Sequence, residues 1–300
     1  MSAGRRWLVV GSAGMLGHEL MARLGDDAAG MDLPDVDITD AASVAAALDV
    51  HRPDVVVNAA AWTAVDRAET EEPAALRVNG EGPAVLAAAC ARRPGTRLLH
   101  VSTDYIFAGD AEAPYDEDAE PSPRTAYGRT KLTGERAVLA ALPDRAWVLR
   151  TAWLYGAHGP NFVSTMLRLE GERETVEVVD DQWGQPTWAG DLAARIVDVV
   201  GHDAPPGTYH ATNAGRTTWW ALAREVFRLA GADPERVRPV SSAAFAAGRA
   251  ASAAVTAPRP AWSVLGHGRW TSVGLAPMRD WHASLEAAMP ELLAAAEKPV

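Results

Sequence analysis

Tyr127 and Lys131 stand four apart in Tyr-Gly-Arg-Thr-Lys, at the start of a segment that reads as a helix running to about Leu142, just before Pro143. Four residues is about one helical turn, so the two side chains are expected on one face. A phenol is a poor acid near neutrality, with an ordinary pKa of about 10. A neighbouring ammonium favours the phenolate and makes the tyrosine a usable general acid or base. The same spacing arises by chance on many helices, so the pair gains meaning only from its surroundings. Thr103, at the end of an apolar strand, offers a hydroxyl suited to polarising a substrate oxygen. Its bland alternative is a strand-end threonine satisfying a backbone group.

The elements that must position these groups begin at the N-terminus. Trp7 to Val10 is a short, β-branched, apolar run that reads as a buried strand, and it leads directly into Gly11-Ser-Ala-Gly14-Met-Leu-Gly17. His18 to Leu24 has helical character. Strand, glycine turn and helix in that order predict a dinucleotide site. The first glycine permits the turn, the second lets a pyrophosphate approach, and the third lets helix and strand pack. Gly11, Ala13, Gly14, Met15 and Leu16 are the expected cofactor contacts there. Asp32 lies 21 residues after Gly11, where a carboxylate can meet an adenosine ribose. In that position it would favour NADH by repelling a 2′-phosphate; otherwise it is a loop carboxylate. The segment from Asp37 and Ile38 to Asp40 supplies a cap for a helix over 41–50 and could also border the adenine.

A second buried strand, Asp54 to Asn58, ends in Ala59, Ala60 and Ala61, whose small side chains leave room for a ligand. A loop from Trp62 to Asp66 and an Ala-rich helix over 73–93 follow, then a strand over 97–102 leading into Thr103-Asp104-Tyr105. An acidic, proline-rich surface loop spans 109–124, and a further strand covers 147–151. Short apolar strands alternating with helices predict an α/β fold of Rossmann type. Its doubly wound parallel sheet carries helices on both faces.

Composition narrows the function. The chain has 300 residues, 48% hydrophobic and 22% charged, as in ordinary globular enzymes. A net charge of −11 argues against a nucleic-acid binder, so phosphates must be held by local arginines and backbone amides. The single cysteine, Cys90, allows no internal disulfide and fits a reducing compartment. No apolar run is long enough for a signal peptide or a membrane span, so a cytoplasmic, soluble protein is expected.

The order Gly11-x-x-Gly14-x-x-Gly17, Asn58-Ala-Ala-Ala61, Ser102-Thr103-Asp104, Tyr127-x-x-x-Lys131 resembles the extended short-chain dehydrogenase/reductase superfamily. Within it the chain resembles the dTDP-4-dehydrorhamnose reductase family over nearly its whole length. The segments NAAAWTAVDRAE (58–69), HVSTDYIFAGD (100–110), RTAWLYG (150–156), VVDDQWGQPTWAGDLA (178–193) and RPAWSVL (259–265) carry the likeness.

That resemblance implies NADPH or NADH as cofactor and a dTDP-linked 4-keto-6-deoxy sugar as substrate. Tyr127 would donate a proton to the forming alkoxide. Lys131 would lower the pKa of Tyr127 and hold the nicotinamide ribose, while Thr103 would hydrogen-bond the ketone. A nucleotide-binding domain over 1–150 and a mainly substrate-binding lobe over 151–300 are expected, some segments of the latter returning to the sheet. Thr63, Val65, Asp104, Tyr105, Trp153 and Asn161 are the expected sugar-side contacts, with Tyr155 in the same pocket. Arg259 is either a diphosphate clamp or a surface ion pair.

Sugar-nucleotide dehydratases place an Asp-Glu pair after the threonine. Here Tyr105 follows Asp104, which argues against dehydration. Some members of the family bridge a dimer through Mg²⁺ held by acidic residues. Glu19 matches one such position, but Gly190 stands where a carboxylate is expected, so no metal site is assigned and a homodimer stays open. A non-catalytic reading also remains, because the regulatory β subunit of methionine adenosyltransferase resembles the same family.

Overall fold

Each sheet strand alternates its side chains between two apolar layers, which is what buries both faces of a parallel sheet. The computed structural model describes residues 5–249 and 255–296, apart from the side chain of residue 249. Its strands are β1 (Trp7–Val10), β2 (Ala28–Met31), β3 (Val55–Asn58), β4 (Arg97–Thr103), β5 (Ala146–Thr151) and β6 (Gly207–His210). They pair in the order β6-β5-β4-β3-β1-β2, all parallel. The longer helices that pack the two cores are α1 (Met15–Leu24), α2 (Ala41–His51), α3 (Gly82–Ala91), α4 (Ala126–Ala141), α5 (Phe162–Glu172), α6 (Ala189–Gly201), α7 (Trp219–Leu229) and α8 (Trp281–Ala296).

Trp7, Val9, Val57 and Leu149 face α1 and α6, packing on Leu16, Leu20, Leu192 and Ile196. Leu8, Val10, Val56 and Val148 face α2, α3 and α4 through Val44, Leu48, Leu86 and Val138. Cys90 is buried in this second layer, where burial pushes its thiol up to about 12. The chain runs outward from β1 to β2 and then crosses back to β3 on the other side of β1. That reversal opens a crevice at the strands' C-terminal ends, the expected ligand position in such a sheet.

Segments after residue 151 contribute β6 and α6 to this sheet and build a second core. There α5, α7 and α8 pack through Val163, Met166, Leu222, Val226, Phe227 and Leu285. The parallel pair Val176–Val179 and Val237–Val240 completes that lobe. Trp281 is buried in that core and Trp270 in the layer between the sheet and α6, whereas Trp183 is 39% exposed.

Local chemistry accounts for the helix starts. Asp40 caps α2, Thr125 caps α4 by accepting from the Gly128 amide, and Thr218 caps α7. The expected helix over 73–93 is instead three pieces. A π-helical turn, Arg77–Glu81, separates Glu72–Leu76 from α3. Gly80, Gly82 and Pro83 weaken regular helix there, and the wider turn places the Asn79 side chain inside. Helix α4 is pinned to β5 by a buried ion pair, with Arg150 Nη2 2.9 Å from Glu135 Oε2. Removing one partner of such a pair typically costs about 3–5 kcal/mol, so it holds the orientation of the helix carrying Tyr127 and Lys131.

Candidate active site

A cleft of about 790 Å³ lies at the C-terminal ends of β1, β3, β4 and β5. One end is the glycine turn, lined by Gly11, Ala13, Gly14, Met15 and Leu16, with Asp32, Asp37, Ile38 and Ala59, Ala60 and Ala61 beside them. Gly11 has φ +84°, and a Cβ there would come within 2.6 Å of the Ala60 amide nitrogen, so both conformation and space demand glycine. A Cβ on Gly17 would sit 2.2 Å from the Gly11 carbonyl oxygen, which explains the third glycine. Asp32 accepts from the Ala13 amide at 3.1 Å and the Leu33 amide at 3.0 Å, so its carboxylate braces the turn as well as facing the cleft. Asp37 accepts from the amide and hydroxyl of Thr39, which hold its carboxyl below the usual range.

The opposite end gathers Thr63, Val65, Thr103, Asp104, Tyr105, Tyr127, Lys131 and Trp153. Thr103 Oγ1 donates to Asp104 Oδ1 at 2.9 Å and accepts from the Tyr105 amide at 3.2 Å. Burial pushes Asp104 up to about 6, against the pull of Thr103 and of Ser263, which lies near the carboxyl without meeting Oδ2 in hydrogen-bond geometry and leaves that oxygen without a partner. Tyr127 packs edge-on against Tyr105. Its phenol is pushed up to about 12 by burial, with the Thr103 hydroxyl pulling it down and Asp104 pushing it further up.

This departs from the expectation that Lys131 lowers Tyr127. The Lys131 ammonium position is spent elsewhere: Nζ donates to the Val101 carbonyl at 2.7 Å and lies 3.4 Å from His100 Nε2. Helical spacing aligned the two residues, but the long lysine stem folds back onto β4.

Two further expectations are corrected, and a third, Arg259, is found in the ion pair that was one of its two readings. Asn161 does not line the cleft. It caps α5, accepting from the Ser164 amide at 2.9 Å and donating to the carbonyls of Gly156 and Gly159, so its amide is already used. Tyr155 is a core residue whose hydroxyl reaches Ser284. Arg259 stands beside the cleft rather than in its lining, with Nη1 2.8 Å from Asp66 Oδ1. It remains close enough to pull the Tyr105 phenol down against burial.

Trp153 sits at the cleft wall with φ +46°, a strained conformation for a bulky residue, and stacks on Trp219 at 3.5 Å between ring centroids.

Two buried asparagines carry polar links that reading the sequence missed. Asn58 joins β3 to His100, and Asn79 joins the Trp62 backbone to Thr130 on α4. Asn58 is a polar side chain in an otherwise apolar run, which was the available signal; Asn79 sits among Arg77, Gly80 and Glu81 and offered none. Glu19, on α1, has its carboxyl raised by burial and by Glu291. Among the described residues no group of three or more His, Cys, Asp or Glu could hold a metal ion.

The cleft fits a nicotinamide dinucleotide. The N-terminus of α1 lies at one end, and the buried hydroxyls of Ser102 and Thr151 lie unpartnered toward the other. Fold and site together place the chain among the extended short-chain dehydrogenases/reductases. It belongs to the dTDP-4-dehydrorhamnose reductase family: the family model described as RmlD substrate binding domain matches residues 5–294. The chain is 54% identical to the probable dTDP-4,6-dihydroxy-2-methyloxan-3-one 4-ketoreductase of Streptomyces antibioticus, over 98% of each. It is 53% identical to the dTDP-4-dehydrorhamnose reductase of Streptomyces griseus, over 98% of this chain and 96% of that one. The crystal structure of dTDP-4-dehydrorhamnose reductase from Bacillus anthracis in complex with NADP matches with a TM-score of 0.89 at 35% identity. That match covers 96% of this chain and 100% of the other.

Proposed function

We propose that the chain is an NAD(P)H-dependent reductase of the C4 ketone of a dTDP-4-dehydro-6-deoxyhexose, converting dTDP-4-dehydro-L-rhamnose to dTDP-L-rhamnose. The observation that carries this reading is that Thr103, Tyr127 and Lys131 close one end of the cleft whose other end is the glycine turn. A bound nicotinamide would supply the hydride. Tyr127 holds its proton at neutral pH, as any phenol does and more firmly for being buried, and a protonated donor is the form that ketone reduction needs. An alkoxide is far more basic than a phenolate, so transfer from Tyr127 runs downhill. Thr103 lies against the phenol and is placed to orient the ketone oxygen. Lys131, anchored on Val101, would hold the nicotinamide ribose. Asp32 would meet the adenosine ribose, and Arg259, at the rim, the diphosphate.

The test is incubation with dTDP-4-dehydro-L-rhamnose and either reduced cofactor, following loss of nicotinamide absorbance and identifying the product by NMR. Binding of both ligands without turnover would instead support a non-catalytic role. A second reading, a 4-ketoreductase for another dTDP-linked deoxysugar, is favoured by the Streptomyces antibioticus relative, whose name carries a different sugar at 54% identity. Turnover of that sugar class in preference to dehydrorhamnose would select it.

A further inference from the structure

Asn58, His100 and Lys131, each at most 2% exposed, form a polar chain running from β3 through β4 to α4. Its hydrogen positions follow from one unambiguous group. The Ala60 amide can only donate, and it donates to Asn58 Oδ1 at 3.2 Å. That turns the Asn58 Nδ2 hydrogens toward His100 Nδ1, 3.1 Å away, so Nδ1 must be the acceptor. His100 is neutral, since its complete burial pushes it well below its ordinary value. A neutral imidazole accepting at Nδ1 carries its hydrogen on Nε2. This N–H faces Lys131 Nζ across 3.4 Å. An ammonium has three hydrogens and no lone pair, so it cannot accept; a neutral amine can. The amine satisfies the whole arrangement, since Nζ donates to Val101 while accepting from His100.

We infer that His100, oriented by Asn58, is a positioning residue that favours the free-amine form of Lys131 and thereby sets the pH at which the site loses its cation. This rests on the reading of Lys131 as part of a reductive site. The other groups around Lys131 agree. Burial brings its ammonium down to about 8, with Glu135 pulling the other way. Glu135, one turn further along α4, is already engaged by Arg150 of β5 through Nε and Nη2. Tyr127, one turn earlier, is neutral through this range. Asp104, at the end of β4, faces Thr103 and acts on Tyr127. Lys131 therefore carries its charge below about pH 8 and is an uncharged amine above it.

The sequence offers a direct readout, because lysine occurs only at positions 131 and 298. Protein labelled with ε-¹³C-lysine and ring-¹⁵N-histidine gives two lysine signals, assigned with Lys298→Arg, and eight histidines, among which loss of a signal in His100→Phe identifies that ring. Without substrate, His100 is expected as the Nε2–H form across neutral pH; the Nδ1–H form would overturn the inference.

In His100→Phe the opposing N–H is gone, and Lys131 should titrate higher by about half a unit or more. An unchanged or lower titration would mean that burial alone sets it. Asn58→Asp keeps the shape but offers His100 an acceptor at Nδ1, leaving Nε2 to receive an ammonium hydrogen. There Lys131 should move up by about one unit or more, with the imidazole reversed. A raised titration without that reversal would be a charge effect and count against the inference. These spectra need no turnover, so failure of the reductase assignment is seen separately. If the protein does reduce the sugar nucleotide, the alkaline limb of kcat/KM should follow Lys131 in both variants, and a limb that stays put while the spectra move would remove its role in the reaction.

Discussion

Thr103 donates its only hydroxyl hydrogen to Oδ1 of Asp104 across 2.9 Å, at the strand end that faces Tyr127. While Asp104 is ionised, that hydrogen is committed. Once Asp104 is protonated, its own O–H can take over as donor and free Thr103 to bond a carbonyl oxygen in the cleft. The cost of ionising Asp104 comes mainly from burial, with Oδ2 enclosed and unpartnered.

A stability prediction follows with a definite sign. A carboxyl raised from 3.8 to about 6 favours the fold fully below the unfolded value, and that contribution is lost as pH rises through about 6. Asp104→Asn keeps the acceptor for Thr103 and cannot ionise. It should therefore be more stable than the parent by about 2–3 kcal/mol at pH 7.5, with the gain fading toward pH 4. Urea unfolding at both pH values measures this. An equal gain at both would trace it to packing rather than titration.

Tyr127→Phe removes the proton donor and leaves the ring packed on Tyr105. Turnover should fall by about 10²-fold or more, with cofactor affinity near that of the parent. Thr103 loses a partner but keeps Asp104 and the Tyr105 amide, so the fold should hold. Steady-state kinetics with cofactor titration decide it, and turnover within a few-fold of the parent would assign the proton to another group.

What could be read from the sequence was governed by locality. The glycine turn, the Asp40 cap and the short apolar strands are set by neighbours along the chain, and with the Tyr127–Lys131 segment they predicted the sheet and the α4 helix. Helical spacing also placed Tyr127 and Lys131 on one face. It could not say where a flexible lysine ends, because His100 and Val101, which hold it, lie about 30 residues away. Asn161 misled for the opposite reason. Its three-residue relation to Ser164 is a capping signal, and that outweighs any pocket assignment. The π-helical turn that brings Asn79 inside depends on packing against α4, which propensity does not report.

Asp32 braces the glycine turn through the Ala13 amide, so removing the side chain would confound charge with structure. Asp32→Asn keeps an acceptor and removes only the repulsion of a 2′-phosphate. The ratio of NADPH to NADH efficiency should rise several-fold, and an unchanged ratio would leave Asp32 as a structural brace alone. Measuring kcat/KM for both cofactors at one ionic strength separates the two, since charge effects are screened by salt.

The last prediction separates the two ends of the substrate. A deoxy sugar presents one ketone and few hydroxyls, so the diphosphate should supply much of the binding energy and position the ketone. Arg259 already holds Asp66 at the cleft rim, and a diphosphate must compete with that carboxylate for the guanidinium. The exchange should be favourable but smaller than for an unpaired arginine. Arg259→Ala is therefore expected to weaken dTDP binding by about 1.5–3 kcal/mol, the scale of a hydrogen bond to a charged group, with the lower end favoured. Asp66→Asn should strengthen it by releasing the guanidinium. Trp153→Ala should leave dTDP affinity nearly unchanged and mainly lower turnover, because it removes an indole from the cleft wall and its stack on Trp219. Calorimetric titration of dTDP and of cofactor into all three variants makes the comparison. An Arg259→Ala protein that binds dTDP as tightly as the parent, with Asp66→Asn equally silent, would make the Arg259–Asp66 pair a structural clasp and move the diphosphate elsewhere.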